Sequence, residues 1–343
     1  AEVVKVERPG GEPMRSHFGP LDSDGVSAFY KTLNGGKTVV ELNLKDEADH
    51  ARLLQFVQAA DVLLESFRPG VMERLGLAPE RLRERHPRLV ICSLSGYGQT
   101  GPYRFRAGHD INYLAFCGAL ASTGTEAVPV APLPQISDYA GGMQALSTIL
   151  AALVSRATTG EGAYLDVSLA ESVLGWQSPA LTQVGRDGYS FARGVGNESG
   201  GSADYRIYRT ADQRFITLAA LEAKFWENFC HAVDRSQWIA RQDEPVPQRE
   251  LIADVSALLK SKDLAYWRER LDGCDCCFET VLDHEEVGEH PQIAARQLIG
   301  RYHWPDPLTQ VLYPAWVNGE PPRARSAPVF DGAESVVERW QRG

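Results

Sequence analysis

Five short β-branched runs, at residues 3–6, 38–42, 62–64, 89–94 and 164–167, recur through the first half of the chain with helical patterns between them. Each is brief, apolar and closed by charge or glycine, the pattern of a buried strand. Between them, LKDEADHARLLQFVQAA puts Leu53, Phe56, Val57 and Ala60 on one helix face, with Asp46 and Glu47 at its start, where the helix dipole favours acids. APERLRERHP is a shorter helix that ends before Pro87. Alternation of this kind calls for a mostly parallel sheet covered on both faces, an α/β fold. Ligands on such sheets bind at the carboxyl ends of strands. No GxGxxG follows any of these runs and RPGG is too weak to count, so a nicotinamide or flavin site is not supported.

The longest helical signal is ISDYAGGMQALSTILAALVSRATTGEG, with Met143, Leu146, Ile149, Leu150 and Leu153 apolar and Ser137 and Asp138 placed where an N-cap belongs. Residues 186–204 are rich in glycine and polar side chains and read as a linker or active-site loop. After it, YRIYRT and RFITLAAL form two alternating strands joined by ADQ, opening an α+β unit that runs to about residue 300. At 343 residues the chain exceeds one small core, so two domains or one discontinuous domain are expected.

A net charge of −10 argues against a nucleic-acid protein and requires any anionic ligand to sit on a local basic patch. Lys5, Arg8, Lys31, Lys37, Lys45, Arg68 and Arg74 cluster in the first quarter, where strand ends and turns are expected. Six cysteines show no disulfide spacing, which favours a reducing, cytoplasmic setting. GCDCCF lacks a second CxxC and a nearby histidine pair, so no metal site is expected there. No run is long and apolar enough for a membrane span.

Three ionisable groups stand in unusual settings: His109 between a glycine and an apolar run, Asp138 at the mouth of the long helix, and Glu222 inside LAALEAKFW. Each has an ordinary structural role open to it, as a packed histidine, a cap or a solvated acid. The apolar run INYLAFCGAL either lines an acyl site or belongs to the core, with core favoured by its helix-like spacing.

VVKVERPGG, LESFRPGVMERLGL, LSGYGQTGP, AGHDINYLAFCGAL, the D-x-x-G-G opening at Asp138 and HPQIAAR follow in order the pattern of the class III CoA-transferase superfamily. Within it, GHDINY resembles the α-methylacyl-CoA racemase branch. The resemblance implies a Rossmann-like large domain built from residues 1–185 and a return segment 301–343, a linker at 186–204 and a smaller α+β domain at 205–300. It further implies an interlocked homodimer, an acyl-CoA substrate and no cofactor beyond the CoA moiety itself. Members of the family usually carry roughly thirty further residues ahead of the equivalent of Ala1, one strand–helix unit of a first βαβ element. That expectation brings dimerisation, part of the CoA pocket and even activity into question, a non-catalytic CoA-binding relic being the third reading.

By the same resemblance His109 and Asp138 face each other across the substrate α-carbon, one removing a proton while the other donates. Glu222 matches a glutamate that orients the histidine, although LEAKFW replaces the more usual glutamate–proline–glutamine run. Asp110, adjacent to His109, is expected to point instead towards a helix start. Arg8, Leu42, Lys45, Phe67 and Arg74 are placed around the CoA nucleotide. A carboxylate at a helix start is stabilised by the dipole, and the amides around Gly141 and Gly142 are expected to approach the thioester oxygen unhindered. The alternative activity is CoA transfer between carboxylic acids, with Asp138 as a covalent nucleophile.

Overall fold

The computed structural model describes residues 1–189 and 192–342. The five expected strands form close to their expected bounds: β1 Val4–Glu7, β2 Thr38–Glu41, β3 Val62–Glu65, β4 Val90–Ser95 and β5 Tyr164–Ser168. Further along come β6 Tyr205–Arg209, β7 Phe215–Ala219, β8 Phe278–Thr280, β9 Ile299–His303, β10 Pro307–Val311 and β11 Val329–Phe330. The result is a mixed α/β fold with parallel sheets.

The chain divides into two compact units. The first takes Ala1–Leu63, Met72–Val90 and the chain from Leu282. Its sheet is ordered β1-β2-β11, with β1 parallel to β2 from Val4↔Thr38 to Glu7↔Glu41 and β11 parallel on the other edge of β2. Asp46 caps the helix Glu47–Ala59 by accepting from the Ala48 and Asp49 amides, and Leu53, Phe56 and Val57 are its buried face. Ala60 falls just outside, as the C-cap.

RPGG follows β1. Gly10 and Gly11 both take left-handed φ, 80° and 76°, which a side chain would strain. The turn is pinned by the Glu7 carboxylate, which accepts from the Glu12 amide at 3.0 Å, and by Glu41, which accepts from the Gly10 amide at 2.9 Å. Glu7 is buried and also meets the Tyr30 hydroxyl at 2.7 Å, Lys5 at 3.0 Å and Arg15 at 2.8 Å. Burial pushes its carboxyl up, but the Tyr30, Lys5 and Glu12 hydrogen bonds outweigh that and hold it below the usual glutamate range.

The second unit takes Leu64–Val71 and Ile91–Val281. Its sheet is ordered β3-β4-β5, and β4 is the buried central strand, parallel to β5 and registered on it from Ile91↔Tyr164 to Ser95↔Ser168. The long helix Ile136–Thr159 stops at Gly160, whose φ of 77° ends it. An antiparallel sheet, β6-β7-β8, packs with helices around Trp226, Phe229 and Trp267.

The expected divisions at residues 185, 204 and 300 are not where the units part. The 136–159 and 205–281 segments stay in one unit, and the return to the first begins at Leu282 because β11 must reach β2 to complete that sheet. The β9–β10 hairpin had no counterpart in the expectations. Among the described residues no helix is long and apolar enough to cross a membrane, and no group of three or more His, Cys, Asp and Glu side chains is placed to hold a metal.

Candidate active site

His109, Asp138 and Glu222 all belong to the second unit. His109 is the N-cap of the short helix Asp110–Phe116, in extended backbone geometry. Its amide donates to Asn112 Oδ1 at 3.0 Å and its carbonyl accepts from the Asn112 amide at 2.8 Å, so residues 109 and 112 close the helix start reciprocally. One turn on, the Tyr113 hydroxyl donates to the Gly108 carbonyl at 2.7 Å, fixing the residue before the histidine. Asn112 and Tyr113 were not singled out from sequence. The three-residue spacing of His109 and Asn112 was the signal available.

The apolar run after His109 divides by face. Leu114 and Cys117 pack in a core with Ala140 and Val173, whereas Ile111 and Phe116 stay exposed. Phe116 joins an aromatic cluster with Tyr97 at 5.6 Å and Tyr103 at 5.5 Å, and the Arg106 guanidinium lies 3.8 Å over the Tyr103 ring.

Asp138 is the third residue of the long helix, not its cap. The N-cap is Gln135, whose side chain makes no capping bond. The cap arrives from the other helix: one Asp110 carboxylate oxygen accepts from the Ser137 amide at 2.6 Å, the Ser137 hydroxyl at 2.6 Å and the Asp138 amide at 3.3 Å. Asp110 thus points to a helix start, that of the neighbouring helix. Burial first, then the adjacent Asp110 charge, push the Asp138 carboxyl above the ordinary carboxylate range, and His109 pulls it part of the way back. The Tyr113 phenol is pushed up by burial, Tyr97 and Asp138, with Arg68 opposing. The Asp110 bonds to Ser137 and Asp138 set the start of the short helix, capped by His109, beside the start of the long one.

The expected oxyanion donors are corrected. Gly141 and Gly142 lie past the first turn of the long helix, where their amides are taken by carbonyls four residues earlier. Gly141 is buried against Leu169, whose side chain occupies the space a Cβ would need. That glycine lets two helices approach. Gly142 faces open space.

Glu222 is the N-cap of the helix Ala223–Ala232, where its side chain makes no capping bond. Among the described residues its carboxylate has no hydrogen-bond or ion-pair partner, so the expected bond to His109 does not form within this chain. Its charge is felt instead at Cys277, whose thiol burial and then Glu222 push up. The three cysteines of GCDCCF are free.

Of the groups expected at the CoA nucleotide, Arg8 and Leu42 follow the parallel strands β1 and β2 at adjoining carboxyl ends. Arg8 is exposed and its Nε donates to the Gly11 carbonyl at 3.1 Å, while Lys45 is exposed in the loop after β2. Leu42 is 2% exposed: its side chain is core, a correction to its expected contact with adenine. Arg74 is exposed at the end of the helix Val71–Arg74 in the first unit. Phe67 follows β3 in the second unit and is 43% exposed.

A family model described as CoA-transferase family III matches residues 1–333. The chain is a member of CoA-transferase family III. This family III chain is 37% identical over 302 residues to the human alpha-methylacyl-CoA racemase, covering 84% of the chain and 73% of that protein. It is 32% identical over 308 residues to the acetyl-CoA:oxalate CoA-transferase of Acetobacter aceti, covering 87% of the chain and 78% of the relative. The fold matches a crystal structure of a CAIB/BAIF family protein from Brucella suis with a TM-score of 0.84 at 23% identity, over 99% of this chain and 92% of that one. Family members with either named activity act on acyl-CoA.

Proposed function

We propose that this chain racemises the α-carbon of 2-methylacyl-CoA thioesters by a two-base proton transfer. The observation that supports the reading is that His109 caps the short helix whose first residue, Asp110, bonds the first turn of the long helix at Ser137 and Asp138. The thioester carbonyl acidifies the α-C–H. Asp138, as carboxylate, takes that proton from one face, and the electron pair moves onto the thioester oxygen as an enolate. The His109 imidazolium then returns a proton to the opposite face, and the enantiomer reacts with the two roles exchanged.

Glu222 enters as a positioning residue for His109, supplied by a second copy of the chain, since no such bond forms within one. The proposed homodimer is supported by Met143, Leu146, Leu150 and Val154, which recur on one face of the long helix and are all exposed large apolar groups in a single subunit. In the first unit Arg8, Lys45 and Arg74 supply cations for the CoA phosphates. Ile111, exposed on the first turn after His109, is the apolar surface for the acyl group.

The test is incubation of the protein with a 2-methylacyl-CoA in heavy water. Incorporation of α-deuterium supports the racemase. The transferase reading draws on the 32% identity to the oxalate enzyme and needs Asp138 alone, as nucleophile. A free carboxylic acid added to the same mixture decides it: CoA moving to the acid without α-deuterium would replace the first reading by the second.

A further inference from the structure

We infer that Asp110 is a positioning residue that sets Asp138 opposite His109 by capping the long helix from the short one. The inference rests on Asp138 being the catalytic carboxylate and deepens that reading, though it holds for a base or a nucleophile alike.

Asp110 is 8% exposed and Ser137 is 0% exposed, so the bonds between them are made away from water. One carboxylate oxygen collects three donors from the first turn of the long helix, at 2.6, 2.6 and 3.3 Å. The Ser137 hydroxyl also lies 3.2 Å from the Asp110 carbonyl, tying side chain and backbone of the same residue to the same turn. Gln135, at the N-cap, supplies no side-chain bond, so the cap of the long helix comes wholly from a residue 27 positions earlier. Asp110 is also the first residue of the short helix, directly after His109, whose amide is held by Asn112. A displacement of this carboxylate therefore moves the two candidate bases relative to each other. Misplacements of about an ångström cost on the order of a hundredfold in rate where two groups must meet one carbon.

Asparagine has the same shape and would keep an oxygen for all three donors. What it lacks is charge. Among the described residues Asp110 has no Lys or Arg ion-pair partner, so its negative charge is compensated by N–H and O–H donors and by the helix start, and it reaches Asp138 undiminished by a cation. The titratable groups on the elements packed against the long helix are His109, Asp110, Tyr113 and Cys117 on the short helix and its two caps, Tyr164 and Asp166 on β5, and Glu171 on the helix Leu169–Trp176. Only Asp110 among them touches the Asp138 backbone. Position and charge are thus separable by substitution.

The experiment compares wild type, Asp110→Ala, Asp110→Asn and Ser137→Ala by α-deuterium exchange across pH, and titrates the Asp138 carboxyl by 13C NMR with labelled aspartate, assigned through Asp138→Asn. Asp110→Ala should lose roughly ten- to a hundredfold in kcat with KM within about threefold, and Ser137→Ala a smaller part of the same loss. Asp110→Asn should restore most of the rate while the Asp138 titration, and the acid limb of exchange when Asp138 is the base, move to lower pH. Full activity in Asp110→Ala, or an unmoved Asp138 titration in Asp110→Asn, overturns the inference. Should Asp110→Ala fail to fold by circular dichroism, Ser137→Ala decides, since it removes one of the three donors to Asp110 and full activity there overturns the inference. Absence of exchange in the wild type would instead sink the racemase reading, and the carboxyl titration would remain readable.

Discussion

Asp138 is a carboxyl made less acidic by burial and by a second carboxylate, with the His109 charge opposing. A base of raised pKa is better matched to an α-proton than an ordinary carboxylate, and here the cause is local geometry. Asp138→Asn should reduce α-deuterium exchange by at least about a hundredfold, read by NMR of recovered thioester. His109→Gln should do the same for a racemase, yet leave CoA transfer to a carboxylic acid intact if Asp138 is a nucleophile. The wild-type acid limb should fall above the ordinary carboxylate range when Asp138 is the base, because its raised pKa keeps it protonated to higher pH. A limb within that range would contradict the environment seen around Asp138. His109 and Asp138 were legible in the sequence through the resemblance. Their physical support was not: Asp110 and Ser137 meet only because two helices start side by side.

Helix–helix packing decides the next level. Gly141 and Gly142 are neighbours in one helix with opposite demands: the first abuts Leu169 and the second faces open space. Gly141→Ala should destabilise by about 1–3 kcal/mol through overpacking, whereas Gly142→Ala should stabilise by about 0.5–1 kcal/mol through helix propensity; thermal or urea unfolding of the pair checks both. The sequence showed a long apolar helix but not which stripe is covered. Of its large apolar side chains Ile149 is buried while Met143, Leu146, Leu150 and Val154 are not. Leu150→Glu should shift the protein to monomer in light scattering if that stripe is the dimer face, and should leave a monomeric wild type unchanged.

Across the molecule, the first unit rests on a charged network inside its sheet end. Glu7 is held below its ordinary pKa, so its contribution to stability is full above the unfolded glutamate value and is lost as pH falls through the folded one. Glu7→Gln should lower Tm at neutral pH and flatten its decline in acid, measured by calorimetry, and should also weaken CoA binding if the pinned RPGG turn presents Arg8. The amino-terminal strands of this unit, β1 and β2, were readable because short apolar runs between charges have few other fates. Leu42 misled for the same reason: an apolar residue at a strand end looks alike whether it meets a ligand or a core. The divisions between units misled because the chain from Leu282 returns to the amino-terminal sheet, a pairing carried by two residues of β11 that no local pattern announces.

By itself the sequence determined the α/β class, the first seven strands, and the family, since these follow from local periodicity and from motifs contiguous in the chain. Tertiary structure decided which apolar faces are covered, that Gly141 separates helices rather than binding an oxyanion, and that Asp110 caps a helix 27 residues away. The physical reason is that a hydrogen bond or a packing contact between distant segments is set by where whole elements come to rest, a quantity that no short window of residues contains.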